Sequence, residues 1–221
     1  MSPNLKRAAF LHSTFPSLVL LFSGNQYVIV DAQTQNRNPT IQFGPRYIAQ
    51  DWPSLIKAGF DKGVDAILPN PKDRNTAYFF SDGEYILATV APPGGPQLSN
   101  LLDGPNPLSQ WKSLNTIGFT TVDAVLSLST KYAYVFSGDS YNYIEVDPTV
   151  DALNAPGKIA RHWSSLTTLG FTENLGVVFP VGNTPTEAYF FKDDKYSLVG
   201  GIVVGTHCLS FLPDVRTGMT L

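Results

Sequence analysis

The 221 residues are 43% apolar and only 15% charged, with a formal net charge of -3. That is enough chain to bury a substantial core, and all-β closed folds of this length often form one domain. The slight acidic excess argues against the broad basic footprint of a nucleic-acid binder, and no stretch approaches the roughly 20 apolar residues of a membrane-spanning helix.

In chain order, Lys6-Arg7-Ala8-Ala9-Phe10 and Leu18-Val19-Leu20-Leu21-Phe22 superficially look like a signal peptide. His12, Ser13, Thr14 and Pro16 break the apolar run, and altered forms of it return later, so it reads as structure rather than a targeting segment. A cytoplasmic protein is expected. The single cysteine, Cys208, cannot close a disulfide within the chain and reads as a small buried hydrophobe.

Phe22-Ser23-Gly24-Asn25-Gln26-Tyr27 is the first of four related segments. The others are Phe80-Ser81-Asp82-Gly83-Glu84-Tyr85, Phe136-Ser137-Gly138-Asp139-Ser140-Tyr141 and Phe191-Lys192-Asp193-Asp194-Lys195-Tyr196. In each, an aromatic ends one strand and a tyrosine opens the next, with Gly, Asn or Asp supplying the positive φ of a tight turn. Trp52-Pro53-Ser54-Leu55 follows, then Gly59-Phe60. The same spacing returns at Trp111-Lys112-Ser113-Leu114 with Gly118-Phe119, and at Trp163-Ser164-Ser165-Leu166 with Gly170-Phe171. Trp and Leu three apart share one helical face, and Gly-Phe ends a short helix.

Val64-Asp65-Ala66-Ile67-Leu68 and Val122-Asp123-Ala124-Val125-Leu126 open two of the repeats, and Arg7-Ala8-Ala9-Phe10 and Leu175-Gly176-Val177-Val178 fill the same place less faithfully. The second repeat predicts strands over Asp65–Leu68, Ala77–Phe80 and Tyr85–Thr89, then a Pro/Gly-rich connection over Ala91–Pro96 and the Trp helix. A period of roughly 50 to 60 residues, four times over, belongs to propeller-type repeats. The expected fold is all-β: a four-bladed β-propeller with short helices between blades, one domain over 1–221 with blades near 4–60, 61–119, 120–171 and 172–221. The fourth repeat lacks the Trp segment, so N-terminal residues are expected to supply the element that closes the ring.

A blade opening with Asp-Ala, continuing through Phe-turn-Tyr and closing with Trp-Pro-x-Leu resembles the hemopexin repeat. Over nearly its whole length the chain resembles the legume seed albumins of hemopexin fold. The resemblance implies a central channel holding ions and a homodimer. It also implies binding of polyamines such as spermine or of haem, and in some members hemagglutination. It further implies that first-strand residues at the Asp-Ala position line the channel and ligate a metal ion, partly through backbone carbonyls. Asp65 and Asp123 match that motif. Arg7 and Leu175 stand at the other two places and would contribute backbone carbonyls, Arg7 adding a positive charge. Such oxygens suit a hard cation such as calcium. Hydrogen bonding at the strand start is the other reading of Asp65 and Asp123.

No catalytic constellation is visible, and no enzyme is expected. His12, His162 and His207 have no i, i+4 partner, and one cysteine builds no thiolate site. His162 reads as an exposed helix residue, although the three histidines are the only imidazoles that could ligate haem. The phosphate-binding and nucleophile-elbow glycine motifs are absent. The carboxylates of Asp82, Glu84, Asp193 and Asp194 sit in turns, where solvation is expected. With no catalytic constellation in the residues, the resemblance implies a non-enzymatic, seed-albumin-type binding protein. Its expected ligand is small, a polyamine meeting Asp65 and Asp123 or haem, at the channel or a dimer interface, with no organic cofactor. Two alternatives stand beside it: a lectin-like hemagglutinin using groups such as Tyr141, Asn142 and Tyr143, and storage without a specific ligand.

Overall fold

Every repeat folds as an up-and-down antiparallel meander, its two central strands joined by a two-residue turn. The computed structural model describes residues 6–11, 15, 17–31, 40–92, 97–129, 131–181, 184–202 and 214–217. Two compact units divide the chain, Met1–Pro107 and Leu108–Leu221. The first holds β1 (Arg7–Leu11), β2 (Leu18–Ser23), β3 (Gln26–Asp31) and β4 (Thr40–Tyr47) in one sheet. Its second sheet is β5 (Ala66–Pro69), β6 (Thr76–Ser81), β7 (Glu84–Thr89) and β8 (Leu101–Pro107). The second unit holds β9 (Ala124–Ser127), β10 (Tyr132–Ser137), β11 (Ser140–Glu145) and β12 (Gly157–Lys158), then β13 (Val177–Val181), β14 (Thr184–Lys192), β15 (Lys195–Gly200) and β16 (Asp214–Thr217). Strands follow one another in chain order across each sheet. No helix among the described residues is long and apolar enough to cross a membrane.

The registers superimpose the repeats residue for residue. Ala8, Ala66, Ala124 and Val177 face Phe22, Phe80, Phe136 and Phe191, which in turn face Tyr27, Tyr85, Tyr141 and Tyr196. The intervening turns put Gly24, Asp82, Gly138 and Asp193 at φ values of 55°, 51°, 56° and 54°.

The second repeat was expected to hold three strands, yet its sheet, like the other three, has four. Of the outer strands, β4 and β8 are mostly exposed or half-buried, and β12 is two residues long. The outer strand of the fourth sheet is β16, from the C-terminal part of the chain, while β1 pairs with β2 in the first sheet.

The Trp segments form α2 (Pro53–Ala58), α3 (Lys112–Thr116) and α5 (Ser164–Thr168), while α1 (Ile48–Asp51) and α4 (Ile159–His162) precede the first and last of these. The tryptophan lies just before each of these helices rather than inside it. Phe60, Phe119 and Phe171 donate back to the carbonyls of Leu55, Leu114 and Leu166 at 2.8–2.9 Å. That closes each helix end in a Schellman-type bond, with a glycine in the left-handed conformation before the phenylalanine. In the first unit Trp52 is a wedge between the two sheets, 5.3 Å from Phe22 and 5.5 Å from Phe79. In the second unit Trp163 repeats the arrangement at 5.4 Å from Phe136 and 5.6 Å from Phe190.

Candidate functional site

Asp65 sits one residue before β5. Its N–H donates to the Phe80 carbonyl at 2.8 Å, and its carboxylate accepts the N–H of Asp82, in the turn of the same sheet, at 2.9 Å. Lys6 reaches this point from the first sheet. Its ammonium lies 2.5 Å from the Asp82 carboxylate, donates to Ser81 Oγ at 2.6 Å, and is 3.6 Å from Asp65. Burial pushes the Asp65 carboxyl above its ordinary range, opposed by the Asp82 N–H and by the Lys6 charge.

Asp123 repeats the arrangement before β9. Its N–H donates to the Phe136 carbonyl at 2.9 Å, and its carboxylate accepts the Gly138 N–H at 2.6 Å. Thr121 Oγ1 lies 3.4 Å from the other carboxylate oxygen and 3.2 Å from Ser137 Oγ. Burial raises this carboxyl as well, against the Gly138 and Thr121 hydrogen bonds. Among the described residues no lysine or arginine pairs with it. A carboxyl whose pKa is raised by burial is costly to keep ionised near neutral pH, and an arriving cation offsets that cost.

No protein-family model matches the chain. Albumin-2 of Pisum sativum is 26% identical over 184 residues, covering 81% of this chain and 77% of that protein. The crystal structure of hemopexin fold protein CP4 from cow pea matches with a TM-score of 0.82 at 23% identity, covering 98% of this chain and 94% of that one. The chain is a hemopexin-fold protein, a four-bladed β-propeller similar to the legume albumins. A plant lectin with two metal binding sites from Cicer arietinum shares the fold, with a TM-score of 0.84 at 23% identity over 97% of this chain and 93% of that one.

Within this hemopexin-fold chain, the repeat position of Asp65 and Asp123 falls on Arg7 in the first sheet, since Arg7 precedes the Ala8 that faces Phe22. In the fourth sheet it falls on Gly176, not on Leu175. The Gly176 N–H makes the equivalent bond to the Phe191 carbonyl at 2.9 Å. Leu175 aligns instead with Val64 and Val122 and is buried like them. The four equivalent positions thus carry a cation, two carboxylates and no side chain at all. No group of three or more His, Cys, Asp or Glu able to hold a metal occurs among the described residues. A cation near Asp123 would therefore draw on hydroxyl and main-chain oxygens too, a donor set that suits a hard ion or an ammonium.

Other candidates fall out differently. His162 is half-buried rather than exposed, with Nδ1 3.1 Å from the Tyr141 hydroxyl. The ring rests on Gly157, where a Cβ would lie 2.8 Å from that nitrogen. Tyr141 and Asn142, named for a sugar platform, are buried on β11, and Tyr143 stacks on Tyr132 at 5.2 Å, so these three do not form an exposed turn platform. Glu84, Asp193 and Asp194 are exposed, as expected of turn residues, whereas Asp82 is exposed yet paired with Lys6. His12, His207 and Cys208 lie outside the described residues.

Sequence reasoning missed Lys6 and a second network. In the latter, Asp51 receives Arg46 Nε at 2.6 Å, Arg46 Nη2 at 2.8 Å and the Tyr27 hydroxyl at 2.9 Å. A signal for it existed: the residue before each repeat tryptophan is polar, as Asp51, Gln110 and His162.

Proposed function

We propose that the chain is a non-enzymatic, seed-albumin-type binding protein that takes up a small cationic ligand, a polyamine such as spermine, at the first-strand aspartate position. The observation that carries this reading is Asp123, a half-buried carboxylate whose acidity is weakened by burial and which no cationic side chain balances among the described residues. Ammonium groups suit such a position because they donate to carboxylate, hydroxyl and carbonyl oxygens alike. Calcium is the inorganic alternative for the same oxygens, and the two metal binding sites of the Cicer arietinum lectin support it.

The test is the Asp65→Asn/Asp123→Asn double variant, titrated with spermine beside the unaltered protein. Affinity is expected to fall at least tenfold, about 1.4 kcal/mol, because amides keep the strand-start hydrogen bonds but not the charge. An unchanged affinity sinks the reading. A glycan-binding role is favoured by the lectin activity named for that same relative. Red-cell agglutination that simple sugars inhibit would separate it from cation uptake.

A further inference from the structure

The two aspartates are equivalent in register and unequal in surroundings. Around Asp65, an ammonium from the chain itself occupies the oxygen cluster, held by Asp82 at 2.5 Å and Ser81 Oγ at 2.6 Å. Ser81 donates in turn to the Gly63 carbonyl at 3.0 Å, which leaves its lone pairs for the lysine. The cluster is shaped to admit the lysine stem. A Cβ on Gly63 would come within 2.8 Å of Lys6 Cβ and 2.9 Å of Lys6 Cδ. The residue two before the repeat aspartate is thus glycine where the lysine passes. Two before Asp123 it is Thr121, whose hydroxyl faces Asp123 and Ser137 at 3.4 Å and 3.2 Å. A neutral hydroxyl stands there in place of the ammonium.

Resting on the polyamine reading above, we propose that Lys6 is a built-in counter-cation that closes the Asp65 position to external ammonium groups, leaving Asp123 as the aspartate open to one. The Lys6 ammonium is chemically the same group as a polyamine terminus. It satisfies the same oxygens and repels a second cation at short range. Lys6 is therefore a specificity-determining residue: it sets which of two equivalent repeats binds.

The experiment is a rescue series with spermine as the probe, read by calorimetry, with circular dichroism confirming the fold of each variant. Asp123→Asn is expected to lose at least tenfold in affinity. Adding Lys6→Met should bring affinity back to within about tenfold of the unaltered protein by opening Asp65. Adding Asp65→Asn to that pair should abolish the recovered binding. Lys6→Gln, which keeps a donor for Ser81, gives the same recovery if Lys6→Met fails to fold. If the unaltered protein binds spermine but neither Lys6 variant restores binding to Asp123→Asn, the role of Lys6 is overturned while the polyamine reading stands. Full binding by Asp123→Asn alone also overturns it. Absence of binding in every protein of the series overturns both.

Discussion

Replacing Trp52 by alanine is expected to cost about 3–5 kcal/mol of stability, read as a lowered urea midpoint by circular dichroism. The side chain is fully buried, and its ring makes edge contacts with Phe22, Tyr27 and Phe79 at 5.3–5.7 Å. Phe22 belongs to one sheet of the first unit and Phe79 to the other, so truncation opens a cavity at the joint between two sheets rather than inside one. Neighbouring rings fixed on strands cannot collapse far into that space, which puts the cost at the upper part of the range for large-to-small changes. Trp163, between Phe136 and Phe190 in the second unit, should behave alike. A loss below about 1 kcal/mol would mean that the tryptophan does not wedge the sheets.

Asp51→Ala is the next largest, with an expected loss on the order of 3 kcal/mol. The Asp51 carboxylate is almost fully buried and is the acceptor for both the Arg46 guanidinium and the Tyr27 hydroxyl. Removal strands a buried hydroxyl and an arginine fork together. The arginine is 40% exposed, so water recovers part of its share and the estimate stays below that for a fully buried pair. Arg46 holds the Asp51 carboxyl below its ordinary range, with the Tyr27 bond adding to the effect, while burial pushes the Tyr27 hydroxyl well up. The sign follows from linkage. A depressed carboxyl contributes stability above its unfolded-state pKa and loses it as pH falls through the folded-state value. The unaltered protein should therefore lose stability on acidification more steeply than Asp51→Ala, in thermal melts between about pH 5 and pH 2. Parallel pH profiles would remove the network from the account.

How much of this was legible in the sequence depends on where side-chain burial does the specifying. The inner three strands, the tight turns and the Trp helices were readable because Phe, Tyr, Trp and Gly recur at fixed spacing and each has a buried or left-handed role. The outer strands were not. Leu101–Pro107 contains Gly, Pro and Asp with no alternation, and holds its place through backbone pairing to β7. Asp65 and Asp123 were legible from Val-Asp-Ala. In the fourth repeat no aspartate anchors the alignment, and the register that selects Gly176 over Leu175 is set by Phe191 across the strand pair. Lys6 escaped notice for a different reason. Its hydroxyl partner, Ser81, is 75 residues away in sequence, and only the fold brings them together.

The most direct measurement of the central claim is a calorimetric titration of the unaltered protein with spermine at low and at physiological salt. Saturable, stoichiometric heat that weakens as salt rises is the predicted result, since added ions screen an attraction between ammonium and carboxylate. Absence of heat at both salt concentrations would contradict a cationic ligand and make glycans the next ligands to titrate.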